Sequence, residues 1–223
     1  MSKGMLGMLP LSAVRGPRDT LEANLAGEEG QEWLDALNRF LRKENPWEKP
    51  KLLKLLGTTT VPARTTSFVA RDHFKVAKGK NDKVKISFVG DNFTNCFLKG
   101  EGKIEAPADS HNLAYHELVR RSLDLPVITE LGGEAAAEST LADMWTMMEA
   151  QGSNEDGELL TNGHANILYV RDVSGGLRVV SLDWDDGGWY VNAFSISNPY
   201  EWHVNSRVFA CNSVPSTVCP SDT

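Results

Sequence analysis

The amino-acid sequence predicts an α+β protein, in which a helical N-terminal segment precedes a strand-rich domain with one or two packed helices. Two observations carry this prediction. An amphipathic helical pattern runs over Glu28–Lys43, and three β-rich runs joined by short turns lie between residues 165 and 196. We expect the helical segment and a linker over residues 1–60, the α+β domain over 61–207 and a flexible tail over 208–223.

The segment Glu28–Lys43 has the pattern of a helix with one apolar face. The apolar side chains of that face are Trp33, Leu34, Leu37, Phe40 and Leu41. Acidic residues at its start and basic residues at its end interact favourably with the helix dipole, and Pro46 ends the helix. The apolar face is therefore a candidate surface for self-association.

The segment from Glu44 to Thr66 contains prolines, a glycine and a cluster of threonines, which favour irregular structure. We expect at most one helical turn in it, at Leu52–Leu56. We place the boundary between the two parts of the chain between Gly57 and Arg64.

A second helix is predicted from about Leu141 to Ala150. Thr140 and Asp143 have the spacing of a capping box, in which each side chain accepts a hydrogen bond from the backbone N–H of the other residue. Gly152 is placed to end this helix.

Strand signals are strongest in the last third of the chain. Runs over 165–172, 177–184 and 189–196 are rich in β-branched and aromatic residues, and the turns between them predict a three-stranded antiparallel meander. Earlier, residues 83–89 alternate, so we expect a half-buried strand with Val84, Ile86 and Phe88 on one face. Residues 112–121 fit a helix or a strand.

Composition narrows the classes of function. The net charge is −7 and the pI is near 5.3, which disfavours nucleic acid as a partner. No apolar run is long enough to predict a membrane span. With three cysteines no disulfide framework is expected, so we predict a cytoplasmic protein in which Cys211 and Cys219 are free thiols and Cys96 is a core residue.

Four blocks carry a resemblance to a known group of proteins. They read EWLDALNRFLRKENPW, ISFVGDNFTNCFL, ITELGGEAAAESTLADMW and LLTNGHANILYVRDVSGGLRVVSLDWDDGGWYV. In this order they resemble a recurrent family of small bacterial proteins, found widely in genomes of uncultured lineages. No activity is known for that family, so the resemblance implies no catalytic residues.

Aromatic residues are dense near the C-terminal meander. The candidate binding residues are Trp184, Trp189, Tyr190, Tyr200 and Trp202. Strand alternation turns some of them outward unless a second layer covers them, and an exposed aromatic surface binds partners. The leading hypothesis is therefore a non-catalytic interaction or ligand-binding module without a cofactor, whose partner is a protein or a small ligand.

The acidic turn offers a second candidate site. Asp183, Asp185 and Asp186 surround one turn and are able to bind a divalent cation. However, the run Asp-Asp-Gly-Gly is also what a tight hairpin requires, and we favour that interpretation over a metal site.

Two alternative functions use other residues. A small hydrolase would combine Asp and His residues from separate loops, but His111 and His116 are spaced unlike the histidines of a zinc-binding helix, and we interpret them as structural. A nucleic-acid accessory protein would use the basic run, which is also typical of a solvated edge strand. Its lysines are Lys75, Lys78, Lys80, Lys83 and Lys85.

Overall fold

A computed structural model describes residues 15–43, 45, 51–79, 81–152 and 155–211. The chain divides into two compact units, Met1–Pro50 and Lys51–Thr223. The helices are α1 (Arg15–Leu25), α2 (Gly30–Leu41), α3 (Ala70–His73), α4 (Asp91–Phe93), α5 (Asp124–Leu131), α6 (Glu134–Ala137) and α7 (Leu141–Ala150), and one turn of π-helix spans Thr94–Leu98. The strands are β1 (Leu53–Val61), β2 (Phe68–Val69), β3 (Ile86–Val89), β4 (Ile104–Glu105), β5 (His111–Leu118), β6 (Asn166–Arg171), β7 (Leu177–Asp185), β8 (Gly188–Ser195) and β9 (Arg207–Cys211).

A seven-stranded mixed sheet organises the second unit. Its strand order is β1-β5-β9-β6-β7-β8-β3, and β2 pairs with β4 in a small separate sheet. The predicted antiparallel meander is confirmed as β6-β7-β8. The pairs β3–β8 and β6–β9 are parallel. The fold is therefore α+β, as predicted.

Each face of the large sheet has its own core. The first core contains α7 side chains such as Met144 and Met148, together with Phe93 and the fully buried Trp189. The second core contains Val127 and Ile128 of α5, together with residues of the opposite face of the sheet such as Val179 and Val208. Alternation of side chains along the strands separates the two sets, because successive residues of a strand point to opposite faces.

The helix predicted at Leu141–Ala150 has those bounds, and both hydrogen bonds of its capping box are present. The amphipathic helix predicted at Glu28–Lys43 is found as α2, two residues shorter at each end. On α2, Phe40 and Leu41 are exposed, at 64% and 68% of their surface. None of the helices in the described ranges has the length and apolarity needed to cross a bilayer.

Two expectations about irregular segments are wrong. Leu53–Val61 forms β1, paired with β5, where a linker with one helical turn was expected. Arg207–Cys211 forms β9, a mostly buried strand inside the sheet, although the flexible tail was expected to start at residue 208. In both cases long-range pairing with β5 overrides a weak local signal. The remaining residues of the expected tail, 212–223, lie outside the described part of the chain.

The alternation expected over residues 83–89 is broken. Val84 and Ile86 are buried, but Phe88 is 43% exposed, because the register with β8 shifts between Ile86 and Phe88. The irregularity buries Ser87 and turns Phe88 to the face opposite Ile86. Residues 112–121, which fitted a helix or a strand, mostly belong to β5.

Candidate ligand-binding surface and metal-ligand cluster

The five predicted aromatic residues lie in different surroundings. Trp189 is fully buried, and Trp184 packs against it edge to face with ring centroids 4.9 Å apart. Trp202 packs against the second core, where its Nε1 donates a hydrogen bond to Asp124 Oδ1 at 2.7 Å. Tyr200 is 78% exposed. The remaining residue, Tyr190, lies half-buried on the face of the sheet that carries the second core.

Tyr190 is the centre of a row that crosses three strands. It is opposite Asp183 of β7 on one side and beside Phe88 of β3 on the other. The rings of Phe88 and Tyr190 are stacked, with centroids 5.4 Å apart and planes at 30°. We call Phe88, Tyr190 and Asp183 the aromatic–acidic row.

The row lies beyond the limit of the second core. On this face the packing of β8 against that core involves Phe194, which contacts Trp202 edge to face at 6.5 Å. None of the three row residues belongs to the second core as far as the chain is described. Phe88 is exposed, and Tyr190 and Asp183 are half-buried. The row is therefore accessible to a ligand from one side.

The Asp183 carboxylate is poorly stabilised where it lies. Within the described ranges, no side-chain hydrogen bond or ion pair reaches it. Burial, with a smaller contribution from the charge of Asp185, raises its pKa to about 6. A positively charged neighbour stabilises a partly buried carboxylate more than it stabilises a carboxylate that is fully solvated.

The other two acidic residues of the turn differ from Asp183. Asp186 has a positive φ of 49° at the tip of the hairpin, and its carboxylate lies 3.8 Å from Lys78 Nζ. Asp185 is exposed and accepts a hydrogen bond from the Asp186 backbone N–H. Among the described residues, the groups of three or more potential ligands that converge on one point do not include these three aspartates.

Three side chains of kinds that commonly bind metal ions lie close together on the other face of the large sheet, the face that carries the first core. His111, Asp143 and Cys211 each offer one ligand atom, and the three atoms lie within 4.8 Å of one another. His111 Nε2 is 3.2 Å from Asp143 Oδ1, and the Asp143 side chain is 1% exposed. Hydrogen bonds at the start of α7 hold that carboxylate in place. The backbone N–H of Thr140 donates to Asp143 Oδ2 at 3.0 Å.

Glu105 completes the anchoring of α7. Its two carboxylate oxygens accept hydrogen bonds from the backbone N–H groups of Leu141 and Ala142, both at 2.9 Å. Helix N-termini favour such negative charge. Burial nevertheless raises the pKa of Glu105, against these hydrogen bonds. The start of α7 is thus capped by its own Asp143 and tied to β4 by the buried Glu105 carboxylate.

Cys211 is not poised for nucleophilic attack. Burial, followed by the charges of Asp143 and Glu138, raises its pKa to about 11, so the thiol keeps its proton at neutral pH. The thiolate is the reactive form, so the metal-free cluster is not an activated cysteine centre.

Sequence reasoning missed this cluster. It compared His111 with His116, but the two point to opposite faces of β5, as their odd spacing in a strand requires. The capping-box signal did find Asp143, although only as a helix cap. Cys211 was predicted to be a free thiol and is one, and Cys219 lies outside the described residues.

Two lysines of the basic run pair with separate carboxylates. Lys83 Nζ is 3.2 Å from Glu149 and Lys78 Nζ is 3.8 Å from Asp186. Lys80 lies outside the described residues. Exposed pairs of this kind are typical of a solvated surface.

No protein family, curated protein or solved structure matches this chain. The resemblance to a bacterial family therefore stays a prediction.

Proposed function

We propose that this protein is a non-catalytic binding module that recognises an organic cation, the ammonium or guanidinium group of a basic protein segment, on the aromatic–acidic row. The observation that carries the proposal is the Asp183 carboxylate, half-buried and without a hydrogen-bond donor among the described residues, beside two stacked and accessible aromatic rings.

Each part of the row favours a cation. The Asp183 carboxylate is already partly desolvated, so an arriving positive charge compensates an existing cost. Aromatic faces attract the same groups, with about 0.5–2 kcal/mol per cation–π contact. Asp185 adds negative charge on the same face of β7, two residues further along the strand. A neutral or anionic ligand would gain from none of these features except ring contact.

The alternatives receive less support. A hydrolase would use the Asp–His pair of Asp143 and His111, but Asp143 is 1% exposed and is engaged in capping α7. A nucleic-acid partner would need a continuous basic surface, whereas Lys78 and Lys83 are paired with carboxylates. An exposed acidic and aromatic row is the opposite of what a phosphate backbone requires.

The test is calorimetric titration of the full-length protein with a hexalysine or hexaarginine peptide and with a hexaglutamine control. We expect saturable binding of the basic peptides alone. Asp183→Asn removes the charge and keeps the shape, and Phe88→Ala removes one ring, so each should weaken binding roughly 3–10-fold. Tyr200→Ala removes an exposed aromatic outside the row and should leave the affinity unchanged.

Two results would reject the proposal. One is equal affinity of the native protein, Asp183→Asn and Phe88→Ala for the basic peptides. The other is an equal loss on Tyr200→Ala, which would show that the peptides bind outside the row.

We further propose a cytoplasmic location and a role of α2 in self-association. Cys96 and Cys211 are free thiols, as a reducing compartment favours. Phe40 and Leu41 expose most of their surface on α2, whereas Trp33 and Leu37 are half-buried. Sedimentation of Phe40→Glu beside the native chain tests whether the exposed part of this face joins two copies.

A further inference from the structure

We propose that His111, Asp143 and Cys211 form a binding site for one divalent transition-metal ion of the zinc class. The site lies on the face of the sheet opposite the aromatic–acidic row and does not depend on the function assigned to that row.

The fold brings the three side chains together from three elements. His111 begins β5 and Cys211 ends β9, two neighbouring antiparallel strands in which Leu113 is the partner of Cys211. His111 is two residues from Leu113, so it shares the face of Cys211 and lies diagonally across from it. Asp143 comes from the first turn of α7, which packs on that face.

The hydrogen bond made by His111 Nδ1 leaves the other ring nitrogen, Nε2, to act as the metal ligand. Its Nδ1 is 3.1 Å from the Asp109 carbonyl oxygen, which can only accept, so Nδ1 carries the proton. In the neutral ring, Nε2 then presents its lone pair to Asp143 Oδ1 at 3.2 Å. Two acceptors facing each other at this distance need a shared proton or a metal ion between them.

The same arrangement recurs around metal-bound histidines, whose second ring nitrogen commonly donates to a backbone carbonyl or a carboxylate. Asp143 is prepared in a similar way, because Oδ2 accepts the capping hydrogen bond from Thr140 while Oδ1 faces the histidine. Both groups are therefore oriented before any ion arrives.

The separations are close to those of a coordination sphere. Zinc lies about 2.0–2.3 Å from its ligands, so the ligand atoms of a tetrahedral site are roughly 3.3–3.8 Å apart. The three atoms here are within 4.8 Å of one another, and contraction of about 1 Å completes the site. With three protein ligands the fourth position falls to water, and His111, with 31% of its side chain exposed, borders solvent.

The donor set selects the class of ion. One imidazole nitrogen, one carboxylate oxygen and one sulfur suit zinc and its first-row neighbours, whereas calcium and magnesium prefer oxygen ligands alone. On binding, the Cys211 sulfur forms the bond to the ion and its proton passes to solvent, together with the proton that the ion displaces from between His111 and Asp143, so uptake releases protons and tightens as pH rises.

The experiment is equilibrium dialysis of the metal-free full-length protein against Zn²⁺, with Co²⁺ as a spectroscopic probe. We expect one equivalent of Zn²⁺ and a thiolate-to-cobalt charge-transfer band. Loss of a second-shell group costs 10–100-fold in metal affinity, so His111→Gln and Cys211→Ser should each cost at least about 100-fold. Cys96→Ser and His164→Gln, which alter a thiol and an imidazole elsewhere, should keep both the stoichiometry and the band.

Circular dichroism of each metal-free variant shows whether it folds. Asp143→Asn is the third variant that removes a ligand, and its side-chain oxygen can still cap α7. The proposal is overturned if the native protein binds no more Zn²⁺ than Cys211→Ser. It is also overturned if the cobalt complex lacks the thiolate band, or if Cys96→Ser loses the metal as well.

Discussion

At the scale of single residues, Asp183 is the clearest departure from ordinary surface chemistry. The unfolded chain releases the proton of an aspartate near pH 3.9, whereas burial holds the pKa of Asp183 at about 6 in the folded chain. Between these values the folded state binds more protons than the unfolded state. Stability therefore falls as pH rises through this window and stays lower at neutral pH.

Asp183→Asn should accordingly stabilise the protein most at pH 8 and clearly less at pH 4.5, where the folded carboxyl is neutral and only the unfolded chain has begun to release its proton. Solvent screening at a half-buried site reduces the effect, so we expect roughly 1 kcal/mol, or about 2–4 °C in Tm. Thermal unfolding at both pH values measures it, with the exposed Asp186→Asn as the control. A stabilisation that is equal at both pH values would show that Asp183 carries no buried charge.

At the scale of elements, the β7–β8 hairpin separates two roles for adjacent glycines. Asp186 and Gly187 have φ of 49° and 74°, as a two-residue type I′ turn requires. Gly188 is needed for a different reason: a Cβ there would lie 2.5 Å from Ser87 Oγ and 2.9 Å from the Ser87 backbone nitrogen. The close approach of β3 to β8 depends on this glycine.

We therefore expect Gly187→Val to cost at least roughly 1–2 kcal/mol from backbone strain, and Gly188→Val to destabilise by displacing β3. Replacing both Asp185 and Asp186 by Asn should be nearly neutral, because Asn also tolerates positive φ. Thermal unfolding of the three variants, with and without Ca²⁺ or Mg²⁺, is the measurement. A metal-dependent rise in Tm that the Asn pair removes would instead identify a cation site at this turn.

Elements with strong local signals were predictable, and those that depend on long-range pairing were not. The helix α7 follows from its capping box and apolar stripe, and the meander follows from its turns. The strand β1 is rich in threonine and contains Gly57 at a register shift, so its local pattern resembles a linker. Only pairing with β5 makes it a strand.

The candidate sites show the same limit. Tyr190 and Asp183 were found by composition, but the β3 irregularity that brings Phe88 beside them leaves no trace in the alternation of residues 83–89. His111, Asp143 and Cys211 are far apart in the chain and meet only through the order of β5, β9 and α7. Their residue types alone carried no spacing signal.

At the scale of the whole molecule, the chain divides after Pro50, and the second unit contains the full sheet and both cores. We expect residues 51–223 to fold without the first unit, because a domain of this size buries enough apolar surface to be stable alone. Circular dichroism and thermal unfolding of this fragment should give a cooperative transition. A fragment without one would show that the first unit is needed for folding.

The central claim is that the aromatic–acidic row binds an organic cation. Amide chemical-shift mapping of the isotope-labelled protein during titration with hexalysine tests it most directly. The account predicts that the largest changes lie at residues 88–90, 183–185 and 190–192, and that Asp183→Asn moves their midpoint to a roughly 3–10-fold higher peptide concentration. Changes spread over exposed acidic residues throughout the molecule, or centred on another surface and unaffected by Asp183→Asn, would contradict it.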